Sequence, residues 1–176
     1  MFKGIKDKFK HKSAVKFLKE EMGKPAPTVN RSSGITSVGC IVDLDRFDKA
    51  EVFFEFVEEY KLRPNAVKII GYKSYYDKNS PYSTPVFSDK DLGWNGNIEN
   101  SYALEFLSRE YDLLVNYFDE ENLLIQLMSI KAKARVRVGF KTVDQNFNDI
   151  ILNLPLKDFK TFKMELKKYL GVLNEI

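Results

Sequence analysis

Few residues in this chain have the type and spacing to do chemistry. The only histidine, His11, lies in a lysine-rich opening segment, which removes Ser-His and Cys-His nucleophile pairs from the rest of the chain. The only cysteine, Cys40, sits inside the apolar run Ser37-Val-Gly-Cys-Ile-Val-Asp43, a context that predicts a buried, inert thiol. One cysteine permits no intramolecular disulfide, and metal motifs built on paired cysteines are absent. Carboxylates remain. Asp43 and Asp45 flank Leu44 at the end of that run, where paired acids are weak catalytic candidates. Their structural alternative is to solvate a strand end and favour the positive start of a following helix.

A second set of candidates shares the rim where parallel strands would end, the place α/β folds use for ligands. Tyr72, Asn116, Tyr117 and Asp119 fall there, with Gly139 and Phe140. Asp119 doubles as a helix cap and Gly139 as a turn residue, which leaves Asn116 and Tyr117 without a ready structural task. Trp94 and Asn95, in Gly93-Trp-Asn-Gly-Asn97, form a further ligand candidate: the indole either stacks on a base or sugar or plugs the core beneath a long loop. Arg135 and Arg137 alternate with Ala134, Val136 and Val138 and so face one way, as an anion-binding patch or a solvated face on a partly open strand.

The elements that position these residues are legible in outline. Residues 111–118, 119–132 and 134–140 read as strand, amphipathic helix and strand, a βαβ unit. An earlier unit runs from 37–43 through a helix to Ala66–Tyr72. Its helix has Asp48 as cap, Glu51 at the reciprocal position, and Phe47 with Val52 at staple spacing. Asp119 and Leu123 repeat that grammar in the later unit. Between the units, residues 73–100 form a long polar connection with room for a short strand at 85–87. Tyr102, Ala103, Phe106 and Leu107 outline a short helix. After residues 150–154, Asp158 caps a last helix with the row Phe159, Phe162, Leu166, Tyr169 and Leu173. The expected fold is α/β, a three-layer Rossmann-like sheet, mostly parallel, preceded by a basic N-terminal helix.

At 176 residues the chain suits one α/β domain, placed at 36–176, after a helical arm at 1–24 and a Gly/Pro/Ser-containing linker at 25–35. Phe2, Ile5 and Phe9 mark one face of the arm, while Ala14, Phe17, Leu18 and Met22 fall on a face rotated by roughly a third of a turn, so a bend or break is expected near residues 11–13. Net charge hides an asymmetry. Residues 1–24 hold eight lysines against three acids, and the remainder holds twenty basic residues against twenty-two acidic. Lys3, Lys6, Lys10 and Lys12 are interaction candidates for an anionic partner: RNA, an anionic membrane surface or an acidic protein. The alternative is a helix that covers the domain's own apolar surface and uses its lysines for solubility. No stretch reaches spanning length or has a signal-peptide pattern, which makes the cytoplasm the expected location.

No G-x-G-x-x-G or Walker motif appears, so no nucleotide cofactor is implied. The Asp43-Leu-Asp45 motif resembles the opening of haloacid-dehalogenase-like phosphatases, in which the first Asp attacks phosphorus and the second handles protons. Here Arg46-Phe47 stands where that family has Gly-Thr, and no later acidic pair completes a Mg²⁺ site. More of the chain is covered by a second likeness. Gly93-Trp-Asn-Gly96, Tyr111-Asp-Leu-Leu-Val-Asn-Tyr-Phe-Asp119, Lys133-Ala-Arg-Val-Arg-Val-Gly-Phe140, Leu156-Lys-Asp-Phe159 and Lys167-Lys-Tyr-Leu170 resemble a family of uncharacterised proteins of flavobacteria and other Bacteroidetes, a domain of unknown function. The βαβ around Asn116 and Gly139 is faintly similar to a Rossmann-like half of heptosyltransferases, whose nucleotide-sugar domain has no counterpart here. The leading expectation is a non-catalytic α/β interaction module. Its alternative is an enzyme or sensor that binds a phosphate, nucleotide or sugar at the strand-end rim.

Overall fold

The computed structural model describes residues 1–176 except Met1, Ala26, Thr28, Arg31 and Lys78, and omits the side chains of Phe2 and Lys3. The Lys3 candidate therefore lies outside the described side chains. Six strands, β1 (Val38–Asp43), β2 (Val67–Tyr72), β3 (Val86–Phe87), β4 (Glu110–Tyr117), β5 (Lys133–Phe140) and β6 (Ile150–Leu152), form one sheet. All pairings are parallel and the order is β3-β2-β1-β4-β5-β6. This is the expected α/β fold, with the strand order of doubly wound dinucleotide-binding sheets. The chain winds outward from β1 to β3, then returns to the middle at β4, so direction reverses between β1 and β4.

Five α-helices surround the sheet: α1 (Phe2–Met22), α2 (Glu55–Glu59), α3 (Ser101–Leu107), α4 (Leu123–Lys131) and α5 (Phe159–Val172). Every residue of β1 is buried, as the continuous apolar run of a strand covered on both faces requires. One core holds Val115, Tyr117, Val138 and Phe140 of the sheet against Phe53, Phe56, Phe162 and Leu166. The other holds Ile41, Leu114 and Phe118 against Ala14, Leu18, Phe106, Leu124 and Leu127. Residues Leu124–Ile130 are all buried. A helix buried on every side needs cover on its outer side as well, and α1 lies over it.

Several local expectations change. The first helix does not break near residues 11–13. Ser13 stays helical, its hydroxyl donating to the Lys10 carbonyl (2.8 Å) and accepting from the Asn95 amide (3.2 Å). Asp48 caps nothing: it is exposed, and the segment after β1 is a 3-10 helix at Ala50–Phe54 that runs into the five-residue α2. Asp119 is not the cap of α4 either. Asn122 takes that place, its Oδ1 accepting from the amides of Leu124 (3.0 Å) and Ile125 (3.2 Å). Asp158 does cap α5, accepting from Thr161, but the buried row there is Phe162, Leu166 and Leu170, while Tyr169 and Leu173 face solvent.

Candidate functional site

In an open parallel sheet the ligand crevice lies outside the carboxyl ends of the strands where winding reverses, here between β1 and β4. The residues leaving those two strands fill it with charge pairs. The Arg46 guanidinium holds Asp119 through Nε (2.6 Å) and Nη2 (3.1 Å), and its Nη1 lies 2.9 Å from Glu120 Oε1. Thr142 donates to the Asp119 carbonyl (2.8 Å), tying the loop after β5 to the same point. Arg46 was not singled out in the sequence. Its signal was the departure from Gly-Thr after the paired acids.

The two acids are set apart by their partners. Asp43 is buried and closes the turn out of β1, its Oδ1 accepting from the Asp45 amide (3.1 Å) and its carbonyl from the amides of Arg46 and Phe47. Burial, with Asp45 nearby, pushes the Asp43 carboxyl above its usual value. Asp45 reaches the next loop instead, accepting from the Ser74 amide (2.8 Å) with Lys73 Nζ at 3.9 Å. Both carboxylates are thereby committed to shaping loops. The segment leaving β1 is not built as a phosphate cradle: no glycine stands between Asp43 and Ala50, and the first helical piece after the strand is a 3-10 turn.

Asn116 and Tyr117 acquire structural tasks. Tyr117 is the hub of the first core, its ring 4.8 to 5.1 Å from those of Phe47, Phe53, Phe140 and Phe162, and its hydroxyl donates to the Leu156 carbonyl. Burial pushes that phenol well above its usual value. Asn116, fully buried, donates to Asn148 Oδ1 (2.8 Å), and Asn148 lies against Gly139 so closely that a Cβ there would fall 2.3 Å from its amide nitrogen. The Asn116 Oδ1 and the Asn148 Nδ2 are buried without a hydrogen-bond partner among the described residues.

The arginine pair is not a free anion patch. β5 is flanked by β4 and β6, so it is no open strand. Arg137 is buried and donates to the carbonyls of Ser129 (2.8 Å) and Ala132 at the end of α4. Arg135 pairs with Glu175 through both guanidinium ends and donates to the Gly34 carbonyl (2.9 Å).

Gly93-Trp-Asn-Gly-Asn97 serves mainly to seat α1. Gly96 has a φ of 73°, and a Cβ there would meet Phe17 at 2.8 Å and Leu127 at 3.1 Å. Asn95 is left-handed as well, at a φ of 55°, and its amide is held by Ser13. Trp94 is 43% exposed and does not plug the core. Lys131 Nζ sits 4.5 Å over the Phe17 ring, joining α4 to α1.

A groove of about 750 Å³ runs between α1, the loop after β3 and the start of α4, lined by Asp7, Lys10, His11, Asp89, Lys90 and Asn122 among others. The hydroxyl of the buried Tyr72 donates to Oδ1 of Asp89 (2.8 Å), one of the residues that line it. The opening half of α1 is different: Gly4–Phe9 are all exposed, as are His11 and Lys12. Six consecutive exposed residues cover every direction around a helix, so no side chain of Gly4–Phe9 is buried against the body, although Asp7 faces the groove.

Among the described residues no helix is long and apolar enough to cross a membrane, and no three His, Cys, Asp or Glu side chains gather as metal ligands would. No curated protein and no solved structure matches the chain. Residues 10–173 match a family of unknown function, DUF6913, a span that takes in the docked part of α1, the whole sheet and all of α5, and the chain belongs to that family.

Proposed function

We propose that this protein is a non-catalytic interaction module of the cytoplasm that engages an anionic partner through the exposed half of α1. One observation carries the reading: Gly4–Phe9 are exposed on every side and bring Lys6 and Lys8 forward, with Lys12 exposed just beyond, while Ala14 and Leu18 of the same helix are buried in the core. The helix thus has a docked half and a presented half. In support, the crevice between β1 and β4 is bridged by Arg46, and the paired acids beside it are engaged in loop contacts. The lone buried thiol, whose pKa burial pushes well up, suits a reducing compartment. Retention on an immobilised polyanion tests the reading. It should fall steeply as salt rises and be lost when Lys6, Lys8 and Lys12 are all changed to Gln. Equal retention of the two proteins overturns it.

The groove beside His11 favours a second reading, a sensor or enzyme for a small phosphate, nucleotide or nucleotide sugar. Lys10, Lys90 and His11 supply cationic and hydrogen-bonding groups there, set against Asp7, Asp89 and Glu121. A thermal-shift screen with these ligands and Mg²⁺ separates the two readings, because a ligand that binds the native state raises Tm. No shift with any of them removes the second reading.

A further inference from the structure

We infer that the partner of the presented half of α1 is an anionic lipid surface, into which Ile5 and Phe9 insert; this rests on the anionic-partner reading above and names its chemistry. The geometry is set by helical phase. Ile5 and Phe9 are one turn apart on one stripe and remain 50% and 58% exposed. Ala14 and Leu18, the buried docking residues, lie nine positions further on in each case, an offset of roughly 180° at about 100° per residue. The apolar pair therefore points away from the face that seats the helix, where the body cannot cover it. Lys8 and Lys12 flank the pair on one side and Lys6 on the other, while Asp7 falls behind, toward the groove it lines.

An interfacial helix has this cross-section, with large apolar side chains between lysines and the acid on the far side. Other anionic partners fit less well. A nucleic acid long enough to gain from several phosphates would run past this stretch onto a body with twenty basic and twenty-two acidic residues, and it leaves Ile5 in water. Nine helical residues span only about 14 Å, too little for the roughly 800 Å² per side of an ordinary protein interface. A bilayer needs no such area. It touches only the tip, takes up both apolar side chains and adds attraction for each lysine.

Sedimentation of the full chain with vesicles of one-third phosphatidylserine, and with purely zwitterionic vesicles, tests the inference. Binding should appear only with the anionic vesicles. It should weaken on the order of 100-fold when Lys6, Lys8 and Lys12 become Gln, and at least about 10-fold when Ile5 and Phe9 both become Ser. Circular dichroism of each variant should match the parent, since every changed residue is exposed. Vesicle binding that ignores the Ser changes overturns insertion. Binding to a single-stranded RNA oligomer without vesicle binding sinks the lipid inference and leaves the anionic-partner reading standing. Binding to neither, with no retention on a polyanion, sinks both.

Discussion

At the scale of single residues, charge partners decide what the polar side chains do, and the clearest case lies at the amino-terminal end of the sheet. Glu175 accepts from Arg135 and from the Gly34 amide (2.7 Å), and its carbonyl accepts from Ile35. Beside it the buried Asp112 accepts from the Thr36 amide (2.9 Å) and hydroxyl (2.6 Å). The Arg135 guanidinium holds the Glu175 carboxyl below its usual value. A carboxyl whose folded value is depressed stabilises fully above its unfolded value of about 4.3 and loses that contribution as pH falls through the folded value. Glu175→Gln should therefore cost about 2 kcal/mol at neutral pH, and the deficit relative to the parent should shrink as pH is lowered below about 4. Urea unfolding at several pH values reads this directly. A deficit constant with pH would show that the pair contributes only packing.

The same scale explains which site residues the sequence could reveal. Residues 119–122 read Asp-Glu-Glu-Asn, with a capping residue at either end, and local spacing cannot choose between them. The choice is made from 73 residues away, where Arg46 takes the Asp119 carboxylate and leaves Asn122 to start α4. Tyr117 likewise looked idle because its neighbours come from three distant segments, with Phe47 and Phe53 after β1, Phe140 at the end of β5 and Phe162 in α5. Asp158, whose partner is only three residues on, was legible.

At the scale of elements, strands were legible because strands covered on both faces are rich in apolar residues. Strand β1 is a nearly continuous apolar run, and β2, β4 and β5 keep short apolar stretches interrupted by polar residues such as Lys68, Asn116 and Arg137. Helix α1 was harder, since its apolar positions obey two partners, the body for its second half and solvent or a surface for its first. The offset from Ile5 to Ala14 and from Phe9 to Leu18 is nearer half a turn than a third, and it marks a change of environment within one unbroken helix. Deletion experiments should separate the halves. Removing residues 1–9 should leave Tm within a degree or two, because exposed groups contribute little. Removing residues 1–22 should expose the outer face of α4 and destabilise strongly. Gly96→Ala should reproduce part of the second effect, at about 2–4 kcal/mol, from a left-handed backbone combined with a Cβ driven toward Phe17. Chemical denaturation checks all three, and a neutral Gly96→Ala would mean that α1 is not held at this point.

At the scale of the whole molecule, one sheet separates two cores, and the question is whether they melt together. The first core lies on the side of α2 and α5, and the second on the side of α1, α3 and α4. Every internal strand contributes to both. In β4, for instance, Val115 and Tyr117 belong to the first core while Leu114, with Phe118 just past the strand end, belongs to the second, so neither layer can open without stripping the sheet that the other needs. Along the chain α1 lies in the second layer, α2 in the first, α3 and α4 in the second and α5 in the first, so neither layer is one contiguous segment that could part from the other. A single cooperative unit follows. Trp94 makes this testable, because it is the only tryptophan and sits beside α1, on the side of the second core. Phe53→Ala empties a fully buried position in the first core, which should cost about 3–5 kcal/mol. If the layers are coupled, the Trp94 fluorescence midpoint in denaturant should fall with the far-UV dichroism midpoint and by the same amount. A Trp94 transition that stays at the parental midpoint while dichroism falls in two steps would mean that α1, α3 and α4 hold a separately stable layer.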